Sequence, residues 1–342
     1  MKIKTNVPPK LPLKKLPWES LTPFLGQAHR VIEHFEDILQ TTATPSTVLY
    51  LLTIDESISS VHTFKGTLKK VLRPEVFAKN PPKIEPILNY KKALSFAGKQ
   101  KRLTCQVLCK VHALCQKNSM KHKTDIGRLR KRQNWIGPEG CPIEKGLFFP
   151  PKASLVPKYM KNLQTYLSYR EKDPLVQLAI YFAQFLCIHP FMDGNGRVGR
   201  ITLPVFLWHK KLISHPLFFM SGYFTRHYDT YFEKLFHIYE KQGWEDWIIF
   251  FLKGVIEEGE KNCRKAQKLI ELYNEWARQL SSFSPVIVQK SLEFFFKNPI
   301  FSQRKFGSRT QIPHATQEKI FKVLKILEFK GVKICKPILS AL

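Results

Sequence analysis

The stretch His189-Pro190-Phe191-Met192-Asp193-Gly194-Asn195-Gly196-Arg197-Val198-Gly199-Arg200 puts a histidine, a carboxylate, a Gly-Asn-Gly turn and two arginines within twelve residues. Its flanks read as helices. From Pro174 to Ile188 apolar residues recur at Leu175, Ile180, Phe182, Phe185 and Leu186, the spacing of a mostly buried helix. Pro190 ends that helix at about His189, because the residue before a proline is pushed out of the α region. A second apolar helix begins near Asn195 or Gly196 and carries Ile201, Leu203, Val205, Phe206 and Leu207. The Gly-Asn-Gly segment therefore feeds a helix N-terminus.

That placement points to a phosphate. The first N–H groups of a helix have no intrahelical partners and sit at the positive end of the dipole, so an anion is the natural ligand, and glycines let it come close. Arg197 and Arg200, three residues apart, reach phosphate oxygens with forked donors. Asp193 is a hard oxygen ligand for Mg²⁺, an ion commonly held by one or two carboxylates plus substrate phosphates. His189 lies across the loop with a side chain suited to accepting a proton near neutral pH. Each piece alone has an ordinary structural reading as a helix-end histidine, a turn or solvated arginines. Their order and context favour an active site.

The stretch resembles the Fic-family motif HPFx(D/E)GNGRxxR at every defined position. The resemblance implies a mainly α fold: a Fic helical core with a β-hairpin flap, an N-terminal helical domain and a C-terminal winged helix-turn-helix-like domain. It implies nucleotidyl transfer, usually of AMP from ATP to a hydroxyl side chain of a protein, with Mg²⁺ as cofactor. By that resemblance His189 is the general base, Phe191 anchors the loop and Asp193 holds the metal. Gly194, Asn195 and Gly196 form the anion hole, Arg197 contacts the phosphates and Arg200 holds the γ-phosphate, with Val198 and Gly199 inside the same ATP-binding stretch. Removal of AMP, or use of another phosphate donor, is the rival enzyme reading. A basic DNA- or chromatin-binding protein with a vestigial enzyme domain is the rival from another class.

With 342 residues, 44% of them apolar and 13% aromatic, the chain has room for two or three cores. No run of about eighteen uncharged apolar residues reads as a membrane span, and the Lys- and Pro-rich start lacks the apolar centre of a signal peptide. The 55 basic against 27 acidic residues, a net charge of +28, favour acidic partners, unless they only reflect a lysine-rich proteome. Seven cysteines without a C-x-x-C pair argue for a reducing, cytoplasmic setting, and the lysine excess also suits delivery to a nucleus or a host cell. Cys105 and Cys109 read as packed thiols on a helix.

In chain order, residues 1–18 form an extended arm and helices follow from Leu21 to about Gln40 and from Thr47 through Ile58. Another covers Ile84 to Leu94, a segment similar to the one that precedes the core in Fic proteins with an N-terminal helical domain. In such proteins an (S/T)-x-x-x-E-(G/N) helix carries a glutamate that pairs with the second arginine of the motif. Aligned on Gly66, this chain has Val61 for the Ser/Thr and Lys65 for the Glu, and a lysine would repel Arg200. The implied domains are 1–95, 96–265 for the catalytic core and 266–342.

Residues 128–137 and 147–151 read as two short strands joined by a Pro/Gly-rich loop, which fits the family's flap and its capture of a target backbone by strand addition. Of the tyrosine pair that often borders adenine in the family, Tyr231 is kept and the second is Phe232. Trp244 to Val255 form an apolar helix and 257–280 a charged connecting one. The tail contains a helix around Val288 to Phe296, an amphipathic helix from Ala315 to Phe329 ending at Gly331, and a strand over Val332 to Pro337. With eleven Lys/Arg against three Asp/Glu in residues 286–342 it admits two readings, contact with DNA phosphates or a protein-binding module that could form a homodimer.

Overall fold

A computed structural model describes residues 5–41, 45–61, 85–118, 123–137, 140–329 and 332–342. The segment with Lys65 and Gly66 lies outside the described residues. In chain order the helices are α1 (Trp18–Gln40), α2 (Pro45–Ser60), α3 (Glu85–Ala97), α4 (Cys105–Cys115), α5 (Val156–Ser168), α6 (Pro174–Ile188), α7 (Asn195–His209), α8 (Ser221–Arg226), α9 (Tyr228–Lys241) and α10 (Trp244–Gln279). The tail runs α11 (Pro285–Lys297), β1 (Ile300–Phe301), α12 (Gln303–Thr310), α13 (His314–Val323), β2 (Leu327–Phe329), β3 (Val332–Ile334) and α14 (Lys336–Ser340). The mainly α fold read from the sequence is what the chain adopts.

Two compact units emerge, one of Met1–Glu33 with Leu88–Gly259 and one of His34–Ile87 with Glu260–Leu342. The first is built on α6, in which every residue from Leu175 to Ile188 is buried. A helix apolar on all sides needs neighbours on all sides. Trp247 of α10 is fully buried and donates its Nε1–H to the Ala179 carbonyl at 2.8 Å, and Phe224 and Phe251 pack against Phe182. Each such ring contributes about 1.5–3 kcal/mol when removed from water. Gly199 lets α7 lie close to α6, since a methyl there would stand 3.0 Å from the Phe182 ring. At its start α6 is fixed by Pro174 at the first turn and by Asp173, whose Oδ1 accepts the Leu175 and Val176 N–H groups at 2.7 and 3.3 Å.

In the second unit α2 packs on α11, and a phenylalanine cluster of Phe294, Phe295, Phe301, Phe306 and Phe321 forms the tail's core. The sheet has the order β1-β3-β2, antiparallel throughout, with Ile300 opposite Ile334 and Glu328 opposite Lys333.

Four readings need correction. The amphipathic helix does not reach Phe329: α13 stops at Val323, Lys325 turns left-handed (φ 50°), and the Ile326 N–H closes back on the Phe321 carbonyl. This is a helix stop that glycine normally supplies, so the lysine concealed it, and 327–329 becomes a strand. The two flap strands reduce to one bridge between Ile136 and Phe148, because Pro142, Pro150 and Pro151 remove backbone donors around it. The apolar and charged helices of 244–280 are one continuous α10. Cys105 and Cys109 are half-buried, not packed inside. Among the described residues no helix is long and apolar enough to cross a membrane.

Candidate functional site

The loop between α6 and α7 is shaped by its own side chains. His189 ends α6 in a left-handed conformation (φ 48°, ψ 60°), which turns the chain sharply into Pro190. Phe191 is fully buried, and Asn195, 1% exposed, ties the loop shut from within. Its Oδ1 accepts the Phe191 N–H at 2.9 Å and its Nδ2 donates to the Phe191 carbonyl at 2.8 Å. Gly194 adopts φ 78°, and a methyl there would lie 2.4 Å from Gln116 Nε2, so glycine is required by both backbone and space.

His189 has its Nδ1 3.1 Å from the Leu186 carbonyl. A carbonyl can only accept, so Nδ1 carries the proton and Nε2 keeps its lone pair. Burial is the main cause that pushes the imidazole down to about 4, opposed by that hydrogen bond. At neutral pH it is therefore an uncharged base.

Across the loop, α7 begins with Asn195, Gly196 and Arg197, whose N–H groups precede the first intrahelical bond, Val198 N–H to the Gly194 carbonyl. Arg200 is 5% exposed and folds back so that a methyl on Gly196 would stand 2.9 Å from its guanidinium. Arg197 donates to Asp193 Oδ2 at 3.2 Å. The Asp193 side chain is 64% exposed. Its Oδ1 accepts the Gly194 N–H at 2.6 Å and its Oδ2 also accepts from Gln116 at 3.1 Å.

A carboxylate has about four lone-pair sites, so Asp193 keeps capacity for one hard cation beside the helix N-terminus. The donor set fits Mg²⁺ held by one carboxylate and substrate phosphates. Among the described residues no group of three or more His, Cys, Asp or Glu could make a protein-only cage.

Of the other residues singled out, Val198 is fully buried, and Gly199 packs α7 against the Phe182 and Phe185 rings of α6. Tyr231 is 5% exposed among Phe224, Phe232 and Trp247, with ring centroids 5.0, 5.1 and 6.0 Å away.

Sequence reasoning missed a supporting layer. His112 of α4 stacks face to face on Phe191, with centroids 4.1 Å apart and planes 5° from parallel. Its Nδ1 accepts the Gly127 N–H at 2.9 Å, which leaves Nε2–H to donate to the Asp193 carbonyl at 3.0 Å. Four residues on, Gln116 reaches the Asp193 carboxylate from the same helix face. Arg130, 3% exposed, fans onto the carbonyls of His189 (2.8 Å), Pro151 (2.5 Å), Arg132 (3.2 Å) and Ile188 (3.4 Å), while its own N–H reaches the Pro190 carbonyl at 2.9 Å. Burial pushes its guanidinium down to about 10, still charged at neutral pH. Asn134 adds a bond to the Phe191 carbonyl at 3.0 Å. The flap's Ile136 and Phe148 exchange backbone bonds at 2.9 and 3.0 Å, so the same stretch that braces the loop leads into the flap.

A neutral histidine thus faces the open N-terminus of α7 across a braced loop. Residues 102–207 match the Fic/DOC family, so this part of the chain is similar to that family's domain. A protein of Aquifex aeolicus (strain VF5) named "Probable protein adenylyltransferase aq_aa38" is 38% identical over 68 residues, 20% of this chain and 21% of that protein, so the match spans about a fifth of the relative's length. Among solved structures, a Fic family protein from Desulfovibrio desulfuricans G20 superposes with a TM-score of 0.61 at 18% identity, covering 90% of this chain and 88% of the other. A Fic domain containing signaling protein from Bacteroides thetaiotaomicron VPI-5482 gives 0.53 at 13%, covering 72% and 97%. Residues 134–508 of Fic-1 from C. elegans give 0.53 at 16%, covering 70% of each. At these identities the structural likenesses establish the fold.

Proposed function

We propose that the chain transfers AMP from ATP to a hydroxyl side chain of a protein. The observation that carries this reading is the unprotonated Nε2 of a neutral His189 opposite the N–H groups that open α7. The proton of the attacking hydroxyl passes to His189 Nε2, its oxygen bonds to the α-phosphorus, and the bond to the β-phosphate oxygen breaks to release pyrophosphate. The N–H groups of Asn195, Gly196 and Arg197, with the Arg197 and Arg200 guanidiniums, hold the phosphate oxygens as charge shifts toward the leaving group. Asp193 would hold Mg²⁺, which supplies charge neutralisation at the phosphates when bound. Support also comes from the name of the Aquifex aeolicus relative.

The test is label transfer from ATP to protein, with His189→Ala in parallel. General-base assistance contributes roughly 10²–10⁴-fold in rate, so the variant should lose that much while keeping nucleotide affinity and fold. Equal labelling by both would remove His189 from the role.

For the tail we propose a winged-helix-like module that contacts DNA phosphates. The order helix, strand, helix, helix, strand, strand over 285–334 and the exposed Lys319 and Lys322 on α13 favour it. Lys325 lies beyond the end of α13, in a left-handed conformation. Binding should weaken steeply with salt, with a log–log slope of roughly −0.9 per neutralised phosphate, and a shallow slope would assign the tail to protein contacts.

A further inference from the structure

The irregular N-terminal arm, residues 5–12, is built into the first compact unit. Pro8 is buried and Leu11 is 3% exposed. A reciprocal pair holds Leu11: its N–H donates to Asn162 Oδ1 of α5 at 2.9 Å, and its carbonyl accepts from Asn162 Nδ2 at 3.0 Å. Gln184 of α6, 1% exposed, donates its Nε2–H to the Pro9 carbonyl at 2.7 Å. A buried amide needs a partner, and this one, five residues before His189, finds it in the arm.

The other end of the arm meets the flap. Asn6 donates to the Phe149 carbonyl twice, from its backbone N–H at 2.8 Å and from Nδ2 at 3.2 Å. Pro150 and Pro151 follow without N–H groups, so this strand end is fastened through its carbonyls. Each of the three in a row has a donor: Asn6 for Phe149, Gln133 Nε2 at 2.9 Å for Pro150 and Arg130 at 2.5 Å for Pro151. Gln133 and Arg130 belong to the stretch that leads into the flap, whereas Asn6 reaches it from 143 residues away. Because Arg130 also holds the His189 carbonyl at 2.8 Å, the end of the flap lies beside the histidine. The flap itself has one backbone bridge, Ile136 to Phe148, and a lone short hairpin is marginal in water, so its position depends on what fastens its ends.

We propose that residues 6–11 are a strap that sets the position of the flap beside His189, with Asn6 as the positioning residue. The arm thereby governs how a protein acceptor is presented and leaves nucleotide binding to the α6–α7 loop. The consequence for the acceptor rests on the AMP-transfer reading; the strap rests on the hydrogen bonds of Asn6, Gln184 and Asn162.

Asn6→Asp in the full chain keeps the shape of the side chain, removes its donor and turns a carboxylate toward the Phe149 carbonyl. Amide exchange followed by NMR should speed at Ile136 and Phe148 by at least about tenfold, while amides in the middle of α6 exchange as in the parent. Asn162→Ala loosens the arm at Leu11 and should speed the same two amides by at least about threefold, with no charge introduced at the flap. Function is read as a ratio: label passed from ATP to an acceptor copy of the chain carrying His189→Ala, against pyrophosphate released when water is the acceptor. Asn6→Asp should lower labelling of the acceptor by at least about fivefold and leave pyrophosphate release within about twofold, whereas a loss of fold lowers both. Exchange at Ile136 and Phe148 within about twofold of the parent in either variant overturns the strap. Labelling that stays at the parent's rate, or that falls together with pyrophosphate release, overturns Asn6 as a positioning residue. A parent chain that transfers no label contradicts the AMP-transfer reading instead, and the exchange rates then decide the strap.

Discussion

Arg130→Met keeps most of the aliphatic stem that fills the space under the loop and removes the donors. The carbonyls of His189 and Pro151, at 2.8 and 2.5 Å, lose their short bonds, while Ile188 at 3.4 Å loses a weak one. A buried acceptor left without its partner costs about 1–3 kcal/mol, and loss of a cation at the C-terminal end of α6 adds about 0.3–2 kcal/mol. Relief of the guanidinium's own desolvation, visible in its lowered pKa of about 10, offsets part of this. The net expectation is about 3 kcal/mol, a fall in Tm of about 6–12 °C for a unit of this size. Differential scanning fluorimetry gives the shift. Label transfer at a temperature where the variant is fully folded should fall further than stability does, because the carbonyl that the Arg130 side chain holds at 2.8 Å belongs to His189 itself. A Tm within about 2 °C of the parent, or full activity in a folded variant, would refute the assignment of Arg130 as the brace of the loop.

Two other expectations concern protonation. His29 Nε2 lies 2.7 Å from Asp173 Oδ2, and this hydrogen bond, with attraction to Asp173 and Glu33, raises the imidazole pKa against the lowering effect of burial. A raised folded-state value means that the pair's stabilisation is full below the unfolded value of about 6.5 and disappears as pH rises through the folded value. Between about pH 6 and 8 the parent should therefore lose more stability than His29→Gln, and parallel urea titrations that fall by equal amounts would contradict the pairing. For His189, histidine NMR in the nucleotide-free chain, assigned with His189→Ala, should show a midpoint near 4; a midpoint at or above about 6 would mean that the ring is solvated and charged more easily than its burial implies.

Much of the site was legible because its chemistry is local. The α6 boundary follows from Pro190, the helix start from Gly-Asn-Gly, and the open N–H groups at the start of α7 from both, within one short run of sequence. What holds that run in place was hidden. His112, Gln116 and Arg130 act from 59 to 81 residues away, and a helical histidine or a lone arginine in a basic stretch carries no mark of the carbonyl it will meet. Asn195 was read as part of the cradle, yet its side chain is spent on the Phe191 backbone. The end of α13 was misread for a related reason: its left-handed stop is a lysine, and the residues beyond it become a strand because β3 offers them a partner.

Incubation with Mg²⁺ and ATP labelled either at the α- or at the γ-phosphate tests the central claim most directly. The account predicts that protein acquires α-label and no γ-label, and that His189→Ala acquires neither. Transfer of γ-label, or α-label undiminished by the substitution, would contradict it.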